Sequence, residues 1–473
     1  KEVYGSRIEG NRDKRMKIGI ITMPLCANYG GTLQNWALQQ ALIRMGHEPI
    51  TLRFPVMYQG MSAMHYWLKV FPMQFARFVA HKFIGGKYEM PMTIGPWKRS
   101  VRGMERFVDE HINVTEYLPN LSMDDVRRYG VEALVVGSDQ IWRPVMYDAV
   151  KYYFLGFTGD SDILRIAYAP SVALEKWPYK EEVTVQLRKL IKKFSAVSVR
   201  EESSVQLVKD NLGVDAQWVL DPTMLLKKED YLELCKDEPQ SEEPYVFAYI
   251  LDMTDEKRAM AEQTAKTLGC SVLYLTADKV KVEDTIEKWL ANFRDAKYVI
   301  TDSYHGTVFS LIFQKQFFTF YNTYRGNARM DSLKKISGLE DRFITTSVDT
   351  IGDEIDYQEV EERISALEAE NTSLKRSQTV ANLMASYIGM GYEEKLAQQK
   401  AEAFADGDME KVLSCEQKYR ESIEKAIRAD IVKSTPRPDD RGGSSAKTKE
   451  DIMKIQDASE RQQAIADNIE LFE

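Results

Sequence analysis

The chain has 473 residues, of which 44% are hydrophobic and 29% are charged. This composition is typical of a globular protein and excludes collagen-like and wholly disordered chains, while the length suggests about three domains. With 63 basic and 72 acidic side chains, the net charge is −9, so we expect no broad surface for nucleic acid. The cysteines are far apart and lack metal-ligand spacing, so we expect neither a zinc site nor disulfides.

The sequence has no membrane-spanning pattern: no run approaches the roughly 18 apolar residues of a span. The first residues are polar where a signal peptide would be apolar, which favours a cytoplasmic protein. Met16 precedes an apolar run and resembles a natural start, so we interpret residues 1–15 as an N-terminal extension.

Strand and helix patterns alternate along most of the chain. Short β-branched runs separated by helical patterns predict parallel sheets with crossover helices, an α/β class. The charged stretch 227–244 is the expected seam between two doubly wound domains, residues 16–226 and 227–357.

The last part of the chain has a different pattern. Apolar residues recur there at spacings of four and three, with one polar exception, and predict a short coiled coil. We therefore predict a helical tail, 358–473, with oligomerisation through 360–374 and a flexible Pro- and Gly-containing linker at 434–445. The repeating positions are Val360, Ile364, Leu367, Asn371 and Leu374.

Two polar segments follow predicted strands of the first domain. Gly30 and Gly31 would let backbone N–H groups approach an anion at a helix N-terminus, or they form a tight turn without a ligand. After a buried strand, Asp139 and its neighbours lie where open α/β sheets bind ligands, unless Asp139 only caps a helix and Trp142 is core. The candidate acceptor- or anion-binding residues are Asn28, Gly30, Gly31, Thr32, Gln34, Ser138, Asp139, Gln140 and Trp142.

A third segment places Ser198, Arg200 and Ser204 where a strand passes into a helix. An arginine there can grip a phosphate or carboxylate with two N–H groups, although Arg200 could equally pair with a neighbouring glutamate. Asp221, before a proline, is interpreted as turn chemistry.

The second domain contains one histidine in a distinctive setting. His305 follows a strand and begins a helix beside Gly306, where an imidazole can contact a phosphate and exchange a proton, although a lone histidine is more often structural. Downstream, Arg325 and Arg329 could clamp an anion or belong to a solvated loop.

Together these segments, in this order, resemble the polysaccharide pyruvyl transferase family over residues 16–350. The segments are Ile20 to Gln34, Gly137 to Trp142, Ser198 to Ser204 and Asp302 to Thr307. The resemblance implies two Rossmann-like domains facing a cleft, as in GT-B glycosyltransferases. It also implies transfer of a pyruvyl group from phosphoenolpyruvate to a sugar of a surface polysaccharide precursor, which forms a ketal.

The resemblance also implies roles for particular residues. Arg200 would bind the phosphoenolpyruvate carboxylate or phosphate, and His305 would be the catalytic acid/base or a phosphate ligand. Some members have an arginine where this chain has Ser303, so Arg325 or Arg329 would supply the missing charge. The donor-binding set is Arg200, Ser198, Ser204, Ser303, Thr307, Arg325 and Arg329. Apart from phosphoenolpyruvate as donor substrate, we expect no cofactor and no metal.

A basic aromatic segment predicts contact with a membrane. Residues 65–102 carry seven basic side chains, one acid and interleaved aromatic residues, as expected of a segment on anionic lipid. Peripheral contact with the inner face of the membrane would suit a lipid-linked oligosaccharide acceptor. The alternative is a core helix with a basic outer face.

The tail resembles the C-terminal part of a tailed-phage scaffolding protein, from Leu367 to Arg376 and near the chain end. We interpret it as a fusion near residue 367 or as a native oligomerisation tail. Two rival functions stay open: a GT-B-type enzyme that uses a nucleotide sugar, and an assembly protein that multimerises through its tail.

Overall fold

The structure is a computed structural model that describes residues 15–25, 28–54, 102–118, 121–144, 147–276, 284–434 and 448–472, with isolated positions at 72 and 79. The chain divides into two compact units, Lys1–Leu367 and Glu368–Glu473. Both sheets belong to the first unit. The division falls ten residues beyond the predicted start of the tail and lies inside a helix, Tyr357–Gly389.

The first sheet contains six parallel strands in the order β2-β1-β3-β4-β5-β6. Its central strands are short apolar runs buried on both faces, as parallel sheets covered by helices require. The strands are β1 (Lys17–Ile21), β2 (Glu48–Thr51), β3 (Ala133–Val136), β4 (Leu164–Ala167), β5 (Ala196–Val199) and β6 (Gln217–Trp218).

Helices connect these strands. They are α1 (Tyr29–Arg44), α2 (Arg102–His111), α3 (Met123–Arg128), α4 (Tyr147–Tyr153), α5 (Glu181–Ile191) and α6 (Glu202–Leu212), with a 3₁₀ turn at Pro222–Leu225 after β6.

The second sheet contains five parallel strands in the order β11-β10-β9-β7-β8. Its strands are β7 (Tyr245–Tyr249), β8 (Ser271–Leu275), β9 (Tyr298–Thr301), β10 (Phe317–Phe320) and β11 (Phe343–Ile344). Its helices are α7 (Lys228–Leu234), α8 (Asp255–Leu268), α9 (Ile286–Asp295), α10 (Tyr304–Ile312) and α11 (Ala328–Ser337). The predicted class, α/β with two Rossmann-like sheets, is confirmed.

Both sheets reverse their winding at equivalent places. In the first sheet the reversal lies between β1 and β3, and in the second between β7 and β9. At such a point the loops after neighbouring strands run to opposite faces and leave a crevice at the carboxyl edge, where open α/β sheets bind ligands. The motifs around Gly30, Asp139 and His305 all follow strands that border these two crevices.

One apolar core joins the two sheets. The Tyr29 ring at the start of α1 stacks on Trp289 of α9, with centroids 5.4 Å apart and planes 4° from parallel. The Tyr29 hydroxyl also donates a hydrogen bond to the Asp284 carbonyl oxygen at 2.9 Å. Because this core is continuous with Phe107 of α2 and Phe309 of α10, burial of apolar surface fixes the two Rossmann-like parts against each other in a GT-B-like arrangement.

The described residues after Ile344 contain helices and no strand, so the predicted helical tail is confirmed. These helices are α12 (Tyr357–Gly389), α13 (Glu394–Asp406), α14 (Met409–Ser434), α15 (Lys449–Met453) and α16 (Ala458–Ala466). Val360, the first position of the predicted coiled coil, is buried in the core of the first unit, and Ile364 packs against that core while partly buried. Val360 is therefore engaged within its own chain, and oligomerisation through 360–374 stays a prediction.

Two other predictions concern residues outside the described part of the chain. The basic aromatic segment 65–102 is described only at positions 72, 79 and 102, and the linker 434–445 only at its first residue. Among the described helices, none is both long and apolar enough to cross a membrane.

The shared core predicts a large effect of one substitution. Trp289 is fully buried and contacts aromatic rings from α1, β7 and α10. Trp289→Ala should lower the free energy of unfolding by about 3–5 kcal/mol, the usual cost of an unfilled aromatic site. Ile43→Ala, at a half-exposed position of α1, should change it by less than about 0.5 kcal/mol. Denaturant titration followed by circular dichroism measures both, and equal effects would contradict the shared core.

Candidate functional site

The crevice of the first sheet is lined by side chains that bond to one another. Gln34 donates from Nε2 to the Thr22 hydroxyl at 2.8 Å and accepts the Ser138 backbone N–H at 2.9 Å. The Ser138 hydroxyl donates to the Ala169 carbonyl oxygen at 2.7 Å. Gln34 and Ser138, both predicted to bind a ligand, therefore tie the ends of β1 and β3 together, and both are fully buried.

The amino end of α1 has no side-chain cap. Asn28 occupies the cap position but makes no capping bond, and its amide instead donates to Asp139 Oδ2 at 2.9 Å. The first N–H groups of a helix point along its axis and carry partial positive charge. Asn28, Gly31 and Asp139 thus lie together, which brings two separately predicted segments to one place, and anion binding there stays a prediction.

Three other predicted residues of this region are buried or bonded to neighbouring side chains. Trp142 is completely buried and stacks on Phe154 with ring centroids 4.9 Å apart, as the core alternative proposed. Thr32 is also fully buried. Gln140 accepts a hydrogen bond from Arg143 at 2.9 Å. Ligand binding by these three residues stays a prediction.

Arg200 lies in a buried cage of carboxylates. Its Nη1 donates to Asp221 Oδ2 at 2.7 Å and its Nη2 to Asp139 Oδ1 at 3.5 Å, while Nε lies 3.6 Å from Glu201 Oε1. The guanidinium also lies 4.3 Å from the centre of the Tyr304 ring. Burial disfavours its charge, but these neighbours outweigh burial and raise the pKa of Arg200 above its ordinary range.

This cage bears on the predicted role of Arg200. Only 1% of the side chain is exposed, and both terminal nitrogens already bond carboxylates. The local alternative, pairing with a neighbouring glutamate, is realised through Glu201. Direct contact between Arg200 and phosphoenolpyruvate stays a prediction. An oxygen of phosphoenolpyruvate would have to replace the longest hydrogen bond of Arg200, the one to Asp139.

Ser198 and Ser204 form hydrogen bonds next to the carboxylates around Arg200. The Ser198 hydroxyl donates to the Ala167 carbonyl oxygen at 2.9 Å and accepts the Ala169 N–H at 3.1 Å, which joins β4 to β5. The Ser204 hydroxyl donates to Glu201 Oε2 at 3.1 Å. Both serines are buried and fix the backbone and carboxylate around Arg200.

Sequence reasoning missed Asp221 as a member of the site. It follows β6 at the same carboxyl edge of the sheet, and its Oδ2 lies 3.8 Å from His305 Nε2. Burial alone would raise the pKa of Asp221, but His305 and Arg200 outweigh it and hold the pKa below its ordinary range. The available signal was its position at a strand end, which the Asp-Pro turn interpretation set aside.

His305 begins α10 and lies directly against α1. A β-carbon added to Gly30 would lie 2.0 Å from His305 Cγ and 2.1 Å from its Nδ1, so only glycine fits there. Ser303 caps α10 by accepting the Gly306 N–H at 3.3 Å. The Thr307 hydroxyl donates to the Ser303 carbonyl oxygen at 3.0 Å. Ser303 and Thr307 therefore hold the helix start, and donor binding by them stays a prediction.

The two arginines downstream have different surroundings. Arg325 pairs with Asp252 at 2.6 Å. Arg329 is buried and donates from Nη2 to the Arg325 carbonyl oxygen at 2.8 Å, while its Nε has no hydrogen-bond partner. Among the described residues, no ion pair joins Arg329 to a carboxylate. Burial, together with the charge of Arg200, lowers the pKa of Arg329 to about 10.

The loop before α11 contacts the loops of the first sheet, and this contact places Arg329, at the start of α11, near that sheet. Arg143 donates to the carbonyl oxygens of Tyr324 and Arg325, at 3.1 and 3.4 Å. Gly326 has φ +93°, and a β-carbon there would lie 1.9 Å from the Ala173 carbonyl oxygen. The loop thus packs directly on the first sheet's loops, and Arg329 joins Arg200, Tyr304 and Asp139 in one buried cluster.

One group of described residues has ligand atoms close enough for a metal ion. Glu110, His111 and Glu287 offer atoms within 4.8 Å of one another. None of them belongs to the cluster around His305. Arg106 already approaches Glu287 at 3.4 Å, and acidic side chains often gather in this way without an ion, so we assign no metal.

Solved structures that align with the chain are distant. UDP-GlcNAc 2-epimerase from Neisseria meningitidis, bound to UDP-GlcNAc, is 8% identical, with 84% of this chain and 100% of that chain covered and a TM-score of 0.37. A glycosyltransferase from Rickettsia africae is 11% identical, with 89% and 100% covered and a TM-score of 0.35. A Klebsiella pneumoniae protein of uncharacterised function is 14% identical, with 59% and 100% covered and a TM-score of 0.30. Likeness at these scores carries no argument about function.

A search of curated proteins found no match. The sequence profile of polysaccharide pyruvyl transferases, in contrast, matches residues 28–324, more than half of the chain. The matched range begins at Asn28 and contains Arg200, Asp221 and His305. The chain therefore belongs to the polysaccharide pyruvyl transferase family.

Proposed function

We propose that the protein transfers a pyruvyl group from phosphoenolpyruvate to a sugar of a polysaccharide precursor, with formation of a ketal. The observation that carries this proposal is the cluster around His305. It combines an imidazole, a helix N-terminus without a side-chain cap and a buried guanidinium, Arg329, that pairs with no carboxylate of the described residues. Such a cluster suits an anionic donor whose reaction needs proton transfer.

Arg329 supplies the first argument for an anionic ligand. A buried cation is costly unless an opposite charge or a set of hydrogen bonds satisfies it. In the part of the chain that the structure describes, this guanidinium donates to one acceptor, the Arg325 carbonyl oxygen. Asp139 and Glu201 favour its charge from nearby, but burial and Arg200 outweigh them. A phosphate or carboxylate would supply the missing acceptors. We therefore favour Arg329 over the already paired Arg325 as the replacement for the family arginine absent at Ser303.

The start of α1 supplies the second argument. The Asn28 side chain accepts no hydrogen bond from the first N–H groups of α1, so these groups can donate to an anion. Gly30 brings this helix end into contact with the His305 ring. A phosphoryl group bound there would lie beside an imidazole that can act on it.

The reaction we propose begins with protonation of the methylene carbon of phosphoenolpyruvate. A sugar hydroxyl then attacks the resulting oxocarbenium-like carbon and loses its proton. A second hydroxyl of the same sugar displaces phosphate, which leaves with the second hydroxyl proton. His305 relays the first proton, and the cationic groups stabilise the departing phosphate. We propose a lipid-linked oligosaccharide as the acceptor.

His305→Ala should lower the rate of pyruvyl transfer by about 10²–10⁴-fold, the usual contribution of a general acid or base. The assay follows phosphate release from phosphoenolpyruvate, together with the acceptor mass, over a panel of galactose- and mannose-type acceptors. His111→Ala, an exposed histidine outside the cluster, is the matched control and should keep full activity. Near-normal turnover of His305→Ala would remove its catalytic role. Turnover of a nucleotide sugar instead of phosphoenolpyruvate would replace the proposed function.

Arg329→Met should have opposite effects on stability and on donor binding. Removal of an uncompensated buried charge should keep or raise the melting temperature of the ligand-free protein. It should also weaken phosphoenolpyruvate binding by about 10–100-fold, since hydrogen bonds to charged groups contribute about 1.5–3 kcal/mol. Calorimetric titration and thermal unfolding measure the two effects.

Two other arginine variants complete this test. Arg325→Ala should change donor affinity less than Arg329→Met, because Arg325 already pairs with Asp252. Arg200→Lys should weaken binding if Arg200 turns a nitrogen toward the donor. Unchanged affinity in Arg329→Met would assign Arg329 to structure.

Gly30→Ala should impair transfer while leaving secondary structure intact. The added carbon would overlap the His305 ring, so the ring must shift, and a misplacement of about 1 Å can cost 10²-fold in rate. Gly389→Ala, also in a helix but with open space around it, is the control and should leave the rate unchanged. Equal activity of the two variants would show that the contact between α1 and His305 is not needed.

A further inference from the structure

We infer that Asp221 is the positioning residue of His305: it holds the ring so that Nε2 faces inward and Nδ1 is the nitrogen that exchanges protons. The inference rests on the proposed function, because it concerns how the same histidine works. It also gives Arg200 a second role, which is to hold Asp221 in place from its other side.

The orientation of the ring follows from its two edges. Nε2 is buried, has no hydrogen-bond partner, and lies 3.8 Å from Asp221 Oδ2. Nδ1 lies against Gly30, in the first turn of α1. Hydrogen bonds of catalytic groups are often long in ligand-free structures and tighten when substrate binds. The neutral ring should therefore carry its proton on Nε2, which faces Asp221. Nδ1 then lies unprotonated beside the N-terminus of α1, where we propose that the phosphoryl group binds.

Asp221 is itself held rigidly. Its Oδ1 accepts the Thr223 N–H at 3.0 Å and the Thr223 hydroxyl at 2.7 Å, which begins the 3₁₀ turn. Its Oδ2 accepts Arg200 Nη1 at 2.7 Å and faces His305. The carboxylate is fully buried, so one oxygen is fixed by the turn while the other is shared between guanidinium and imidazole.

The charges that face His305 come from three directions. The Asp221 carboxylate approaches from the turn after β6. The positive helix end of α1 lies on another side, and the guanidinium of Arg200 lies beyond Asp221. Within α10 itself, the neighbouring Tyr304 ring packs edge-on, with centroids 5.2 Å apart. Among the described residues, Asp221 is the one carboxylate with an oxygen within 4.0 Å of a nitrogen of this imidazole.

The competing interpretation is that Asp221 serves only to neutralise Arg200. Asp139 and Glu201 also lie close to that guanidinium, so Arg200 would retain two carboxylates without Asp221. His305 has no such substitute. The two interpretations therefore predict different outcomes for the histidine ring when the Asp221 charge is removed.

The test is nitrogen-15 NMR of the full chain labelled at histidine, with the His305 signals assigned by their absence in His305→Gln. In the unaltered protein, the neutral ring should be protonated at Nε2. A ring protonated at Nδ1 would overturn the inference without any further variant. Asp221→Asn keeps the oxygen that Thr223 bonds and removes the charge. It also puts an amide N–H group where Oδ2 faces His305, so the neutral ring should change to the form protonated at Nδ1.

Asp230→Asn is the matched control, because it removes a carboxylate that pairs with Arg44 outside the cluster. It should leave the His305 signals unchanged. An unchanged tautomer of His305 in folded Asp221→Asn would assign Asp221 to Arg200 alone. If Asp221→Asn does not fold, the tautomer of the unaltered protein decides.

Turnover separates this inference from the proposed function. With phosphoenolpyruvate and acceptor, Asp221→Asn should lower kcat with little change in KM. Pyruvyl transfer by a protein whose neutral His305 ring is protonated at Nδ1 overturns the inference alone. Protonation at Nε2 without any transfer overturns the function alone.

Discussion

The contact between Gly30 and His305 is the constraint on which the site depends. The first turn of α1 belongs to one sheet and the imidazole to the other, and there is no room between them for one methyl group. Two features hold this contact. The apolar core behind α1 seats Tyr29 on Trp289, and the capped start of α10 fixes the histidine backbone. A shift of either helix would change the position of the ring relative to the helix end.

Around this contact, the fold buries an unusual number of charges. Arg200 and Arg329 share their surroundings with Asp139, Glu201 and Asp221. Three carboxylates surround the Arg200 guanidinium and neutralise its charge within the protein. Among the described residues, no carboxylate pairs with Arg329, and burial together with the charge of Arg200 lowers its pKa. Carboxylates of the cluster therefore pair with Arg200 but not with Arg329. Arg329 is the group suited to an anionic ligand.

The sequence predicted the features that depend only on the order of strands and helices along the chain. Strand and helix alternation predicted the parallel sheets, and polar residues after strands were correctly expected at one edge, as Asn28 and Asp139 show. Sequence could not reveal which buried polar groups bond to one another. Trp142 has the same sequence setting whether it binds a ligand or stacks on Phe154, and the distinction between Arg325 and Arg329 depends on Asp252, more than 70 residues away.

Asp221 shows a different limit of sequence reasoning. Asp-Pro is common in turns, and here it does begin a turn, so the local interpretation was correct but incomplete. Its Oδ1 serves that turn while its Oδ2 belongs to the site. One side chain can thus satisfy a local pattern and a distant partner simultaneously, and only the distant contact requires the folded chain.

The apolar joint between the two sheets also determines how the chain can be dissected. A cut in the charged stretch between β6 and β7 would divide the matched family region into two Rossmann-like fragments. Each fragment would then expose half of the aromatic surface that contains Tyr29, Trp36, Trp289 and Phe309. We expect such fragments to be poorly soluble when produced alone and to recover a folded site only when produced together, since the residues of that site come from both.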